Sequence, residues 1–249
     1  DRWVTNYPAH KALSQAEFDR AWLNHQAGNS AKAFQLFTNY IERFPNNHLA
    51  PLAQKWIADF HFQSGKFAEA EQVYRRLFEN TNLLELAGDL SWEAPLSAGR
   101  SAFFRQNHAE AETLLTAVVN ATNAPLGELA RAELYLGDVA AEQTARTPTN
   151  LVEAINHYER VALEMTNSPL NAAAWGRLGD CRLQLGEFAQ ATAAYQTVTE
   201  LPGADVTSRS QAKLGLARVL AGQADTEGET DVSERFLQQA LDHCLEIVF

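Results

Sequence analysis

The chemistry-bearing side chains of this chain are few and scattered. His108 and Glu112 stand four apart, a spacing that serves a metal-ligand pair on one helix face or an ordinary solvated ion pair. With no third ligand nearby, the ion pair is the reading adopted. His157 lies beside Tyr158 inside an apolar pattern, where packing accounts for it. The acidic run DTEGETD (Asp225–Asp231) could in principle hold a hard cation, but it reads as an exposed, solvated turn. No glycine-rich phosphate loop, His-Glu-x-x-His, Gly-x-Ser-x-Gly or calcium-loop motif occurs. Cys181 and Cys244 show no metal or redox spacing and read as small buried apolar residues. No catalytic pair, metal site or cofactor is expected.

The bulk properties narrow the remaining classes. Of 249 residues, 46% are hydrophobic, as in an ordinary folded chain. The formal charge is -11 and unevenly spread: residues 1–125 hold 11 basic and 13 acidic side chains, and residues 126–249 hold 9 and 18. That sign repels phosphate backbones, so nucleic acid is set aside and a basic or neutral protein partner is favoured. No run approaches the roughly 18 apolar residues of a membrane span. The chain opens Asp1-Arg2-Trp3 without a methionine and stops inside the apolar pattern Ile247-Val248-Phe249, which reads as a piece of a longer protein.

The elements that would position a site declare themselves by repetition. In WGRLGDCRLQLGEFAQATAAYQTV (Trp175–Val198) two segments of period near 3.6 flank Gly186, the sequence of a helical hairpin with a glycine joint. Similar stretches run from Ala27, Ser64, Arg105, Thr147 and Thr226, with Asn107 near the glycine place in the third. Aligning the small residue of each second helix gives Ala33, Ala70, Ala111, Ala154, Ala191 and Ser233, at spacings of 37, 41, 43, 37 and 42 residues. Four positions on stand Phe37, Tyr74, Leu115, Tyr158, Tyr195 and Leu237. Seven on stand Tyr40, Leu77, Val118, Val161, Val198 and Ala240. Such hairpins cannot bury an apolar stripe alone and must stack on their neighbours. Small residues at Ala21, Ala58, Gly99, Gly137, Gly179 and Ala217 would let the two helices of a pair approach, and the aromatics would fill the gaps between pairs.

Prolines agree with the boundaries: Pro51, Pro125 and Pro169 fall near first-helix starts, and Pro45 and Pro202 just past second helices. Pro95 fits a first turn only if its helix starts near Trp92. That leaves Asn80–Ser91 as a long connector, apolar enough for an extra helical turn. Glu142–Asn150 and Gly222–Ser233 read as over-long turns inside the fourth and sixth hairpins. Trp175 is expected to be buried.

The residues Trp175, Leu178, Gly179, Ala191 and Tyr195, and Ala33, Phe37 and Pro45, stand at the spacing of the tetratricopeptide repeat, which this sequence resembles. The resemblance implies an all-α, right-handed α-solenoid of about six hairpins: a lead-in over residues 1–13, then one array over 14–249. It further implies a non-enzymatic scaffold whose first helices line a concave groove for a peptide or protein partner. Carried over position by position, the groove residues are Phe18, Trp22, His25, Lys55, Asp59, Phe62, Leu96, Arg100, Phe103, Phe104, Arg131, Asp138 and Asp180. The paired basic residues and asparagines of the family's carboxylate clamp are missing, so chaperone tails are not expected as ligands. Pro45, Ala53, Trp56, Gly65, Phe67, Ala70 and Tyr74 follow the order of repeats from bacterial envelope proteins, Tol–Pal-associated and outer-membrane-assembly lipoproteins among them, which implies an exported, periplasmic location. Two alternatives are a cytoplasmic motor adaptor of kinesin-light-chain type and a regulatory domain of an enzyme whose catalytic part lies elsewhere. The apolar last helix suggests self-association through that end.

Overall fold

The computed structural model describes residues 4, 6–7, 9–88, 90–143, 148–226 and 230–248, without the side chains of 148, 230 and 244–248. Every regular element among them is helical. The chain divides into two compact units, residues 1–124 and 125–249.

The first unit holds α1 (Leu13–Gln26), α2 (Ser30–Arg43), α3 (Ala50–Gln63), α4 (Phe67–Glu79), α5 (Thr81–Ala87), α6 (Leu90–Phe104) and α7 (His108–Val119). Three hairpins result, α1/α2, α3/α4 and α6/α7, with α5 between the second and third. The second unit holds α8 (Leu126–Gln143), α9 (Pro148–Glu159), α10 (Asn171–Gln184), α11 (Phe188–Glu200), α12 (Val206–Thr226) and α13 (Thr230–Val248), again three hairpins. A π turn, Arg160–Glu164, extends α9, and the buried Asn171 amide donates to the carbonyls of Val161 and Ala162 there.

The repeated register is the core. Ala33, Ala70, Ala111, Ala154 and Ala191 are fully buried, and Phe37, Tyr74, Leu115, Tyr158 and Tyr195 four residues on are buried too. In α13 the same register is open: Ser233 and Ala240 are half-buried and Leu237 is exposed. The small first-helix residues act by close approach. A Cβ on Gly179 would lie 2.7 Å from the Tyr195 ring, and one on Gly137 2.3 Å from the Tyr158 ring. Tyr195 also meets Gly215 of the next hairpin, so its ring serves its own pair as well as the gap beyond.

The joints show why glycine recurs. Gly28, Gly65 and Gly186 have φ of 78°, 74° and 74°, the left-handed region that ends a helix at little cost only for glycine. In the third joint Gln106 takes that conformation, at φ 64°. Asn107, expected near that place, is instead the cap of α7, its side chain accepting from the Glu110 amide.

Other expectations need correction. Pro95 lies in the sixth position of α6, past its first turn, because α6 begins at Leu90. The connector before it does hold a helix, α5, capped by Asn80 through the amides of Asn82 and Leu83. Gly222 is no turn residue: α12 runs on to Thr226, and Gly222 admits the Phe188 ring, whose Cε1 would stand 2.8 Å from an added Cβ. Residues 222–226 and 230–233, read as turn, are therefore helical; residues 227–229 of the acidic run, like 144–147 of the other turn, lie outside the described residues. Trp175 is only partly buried, packed along the edges of two core clusters rather than inside one. Cys181 is buried with its thiol free, and burial first, then Asp180, pushes its pKa up to about 12, an inert thiol. The Cys244 side chain lies outside the description.

Candidate functional site

In the first unit, α1 and α3 enclose a cavity of about 660 Å³. The α1 helix supplies Phe18, Asp19, Trp22 and His25, and α3 supplies Leu52, Lys55, Trp56, Asp59, Phe60 and Gln63. Each set recurs every three or four residues, so each is one stripe of a helix. His25 sits between two indoles, its ring centre 5.4 Å from that of Trp22 and 5.3 Å from that of Trp56. Trp56 in turn stacks on Phe60 at 5.5 Å. Trp22 is 43% exposed, a large aromatic surface left open to solvent.

Lys55 closes one side. Its ammonium lies 2.8 Å from Asp59 Oδ2 and 3.2 Å from Glu93 Oε1 on α6. Burial would lower the pKa of Lys55, but the bonds to Asp59 and Glu93 outweigh it and hold the ammonium above its ordinary value. The other oxygen of Asp59 accepts from the Tyr74 hydroxyl. Burial, then Asp59, raises the pKa of that phenol, so it remains a donor.

A second cavity of about 370 Å³ adjoins the first and shares Asp59 and Gln63 with it. Phe62, Phe67, Tyr74, Arg100 and Phe104 line it. The Arg100 guanidinium carbon lies 4.0 Å from the centre of the Phe62 ring and 5.9 Å from that of Phe104. Among the described residues Arg100 pairs with no carboxylate, and its buried Nε has no hydrogen-bond partner. It lies over the Phe62 ring in a cation–π contact.

The structure thus brings together Phe18, Trp22, His25, Lys55, Asp59, Phe62, Arg100 and Phe104. It removes two of the expected groove residues. Leu96 is 3% and Phe103 7% exposed, because they share the stripe of Gly99, which faces α7. Arg100 and Phe104 occupy the next stripe and stay accessible. Arg131, Asp138 and Asp180 belong to the second unit. There Arg131 is exposed and paired with Glu128 at 3.2 Å. Asp138 accepts from Tyr158 at 2.8 Å and lies 3.1 Å from Arg177 Nε, with burial, opposed by Arg177, leaving its carboxyl above the usual range. Asp180 accepts from Tyr195 at 2.7 Å.

Leu52, Trp56, Phe60 and Gln63 are cavity residues that sequence reasoning missed, although their three-to-four spacing with Lys55 and Asp59 could have found them. A second missed pattern is the pairing of tyrosine with aspartate. Wherever the large second-helix residue is a tyrosine (Tyr74, Tyr158, Tyr195), the residue after the small first-helix position is an aspartate (Asp59, Asp138, Asp180), and the two are bonded. Where that residue is Phe37 or Leu115, the position holds Trp22 or Arg100 instead. His157, read as packing, bonds the buried Glu133 at 2.6 Å, with Arg160 on the other oxygen at 3.0 Å. Among the described residues no group of three or more His, Cys, Asp or Glu side chains is arranged to hold a metal ion, and no helix is long and apolar enough to cross a membrane.

The family model of the tetratricopeptide repeat matches residues 26–82 and 149–205, the segments of α2 to α4 and of α9 to α11. Those two segments are tetratricopeptide repeats. Solved structures of such proteins share its fold. PilF of Pseudomonas aeruginosa is 16% identical with a TM-score of 0.58, over 90% of this chain and 88% of its own. A tetratricopeptide repeat protein of Parabacteroides merdae is 16% identical at 0.59, over 96% and 88%. BtubC of P. vanneervenii is 15% identical at 0.57, over 95% and 90%. No curated protein matches the sequence. At these identities the likeness carries the fold, an all-α solenoid of helical hairpins, and the tetratricopeptide repeats carry the general role of a surface for protein partners.

Proposed function

We propose that this chain is a non-enzymatic interaction scaffold that takes a segment of a protein partner into the groove of its first unit. The observation that carries the reading is the pair of adjoining cavities with open aromatic surface, Trp22 in one and Phe104 in the other, and with Arg100 over the Phe62 ring and, among the described residues, bonded to no acid. Large aromatics and arginine are the residue types that dominate binding energy when a partner covers them. The order of residues from Pro45 to Tyr74 supports a bacterial envelope complex as the setting.

Partner capture from native extract, with the double variant Arg100→Glu/Phe104→Ala run beside the wild type, tests the reading. Both side chains border the cavity rather than the core, so the helical melt should be unchanged. A partner held by the wild type and weakened about 30-fold or more by the variant supports the groove, the loss expected when hot-spot residues are removed. Capture that persists unchanged places binding elsewhere on the molecule and overturns the assignment.

A further inference from the structure

The α1/α3 cavity is not only aromatic but acidic. Asp19 and Asp59 line it, and Glu93 reaches its edge through Lys55. Against these three carboxylates stands one cation, Lys55, whose ammonium is held between Asp59 and Glu93. Among the described residues Asp19 is bonded to the neutral Gln15 amide, 2.8 Å away, and forms no ion pair. Asp59 is fixed from behind by Tyr74 and Lys55, one on each oxygen, and each oxygen keeps a lone pair for a further donor. The indoles of Trp22 and Trp56 are part of the lining, Trp22 with the more open ring, and indole is the ring that best attracts a cation.

Resting on the groove reading above, we infer that this cavity receives a lysine or arginine side chain of the partner segment, next to a large apolar residue. The cation meets Asp19 and Asp59 while its stem lies along the indoles. The apolar neighbour covers Leu52 and Phe60. The volume of about 660 Å³ exceeds one side chain and accommodates both. Charge changes sign across Asp59 and Gln63, acidic here and basic at Arg100, which gives the bound segment a direction as well as a register.

The test is selection of random dodecamer peptides displayed on phage against the whole chain, followed by fluorescence-anisotropy titration of the enriched sequences. The expected sequences place Lys or Arg within two positions of Trp, Phe or Leu. Their affinity should fall about tenfold in Asp19→Asn/Asp59→Asn and weaken similarly between low and high salt. Asp19→Asn alone, at an exposed side chain, should give part of that loss and guards against a fold effect at Asp59. Peptides that need Trp22, judged by Trp22→Ala, yet lack basic residues or ignore the aspartate variants overturn this inference and leave the groove standing. Peptides indifferent to Trp22→Ala, or no enrichment at all, overturn both.

Discussion

Alanine for glycine normally strengthens a helix, by about 0.8–1.0 kcal/mol at an interior position. The helix α10 offers two such glycines one turn apart with opposite surroundings. A Cβ on Gly176 would meet nothing within 4 Å. A Cβ on Gly179 would lie 2.7 Å from Tyr195 Cε1 and 2.9 Å from Cδ1 and Cζ. The ring cannot retreat. Gly215 of the next hairpin also approaches it so closely that a Cβ there would stand 2.4 Å away, and the hydroxyl is tied to Asp180. Overpacking a fixed core ring costs about 1–3 kcal/mol, which exceeds the propensity gain. Gly176→Ala should therefore stabilise by about 1 kcal/mol, and Gly179→Ala should destabilise by about 1–2 kcal/mol. For a chain of this size each kcal/mol moves Tm by about 2–4 °C, so the two variants should melt about 4–12 °C apart.

The assay is a thermal melt followed by circular dichroism, run side by side for the wild type and both variants. The origin of the penalty is checked in a Tyr195→Leu background, where Gly179→Ala should become at least about 1 kcal/mol less costly, since coupled neighbours are not additive. If Gly179→Ala melts as high as Gly176→Ala, or keeps its full penalty without the ring, the close-approach argument is wrong.

Gln106 is held at φ 64°, a conformation that costs a non-glycine residue about 1 kcal/mol, so Gln106→Gly should raise the urea midpoint by the equivalent of about 0.5–1 kcal/mol; no increase would remove strain from that joint. Glu133 is buried, and although burial raises its pKa, the bonds from His157 and Arg160 outweigh it and leave the pKa below the ordinary 4.5. Its contribution is therefore present above that value and lost as pH falls through the depressed folded pKa. Glu133→Gln should lower Tm more at pH 7 than at pH 4, and an equal loss at both would contradict the assignment. Phe37→Tyr would add a hydroxyl where Trp22 replaces the usual aspartate, costing about 1–3 kcal/mol as an unsatisfied buried group. Phe37→Tyr/Trp22→Asp should recover part of that in the same melt, and no recovery would break the tyrosine–aspartate rule.

What the sequence disclosed and what it hid follow from the same physics. The second-helix register was legible because burial repeats: Ala33, Ala70, Ala111, Ala154 and Ala191 all lie against neighbours that leave no room for more. The glycines were half legible, because glycine has two uses here that look alike in a string. Gly65 and Gly186 end helices through positive φ, whereas Gly222 admits the Phe188 ring within a continuing helix, and mistaking the second for the first invented a long turn. Leu96 and Phe103 were misplaced for a similar reason. One stripe separates them from Arg100 and Phe104, and only the direction of α7 decides which stripe is covered. Contacts such as Glu71 with Arg105, on different hairpins, carry no local signature at all.

The position after the small first-helix residue either bonds a buried hydroxyl or is left open to a cavity in this repeat. In hairpins with a second-helix tyrosine it must accept a buried hydroxyl, and Asp59, Asp138 and Asp180 are committed to that. A phenylalanine at Phe37 or a leucine at Leu115 makes no such demand, and the position is released. Those are the hairpins that place Trp22 and Arg100 at the two cavities, one an indole 43% exposed and the other a guanidinium that, among the described residues, pairs with no carboxylate. Asp59 lies between them, on α3, and belongs to both cavities. Because Tyr74 and Lys55 already orient it, it can act as a fixed acceptor without itself being ordered on binding, which is the economical arrangement for a site meant to read charge. On the proposed groove reading, the released positions would supply most of the discrimination, and the committed one the reference point against which a partner's register is set.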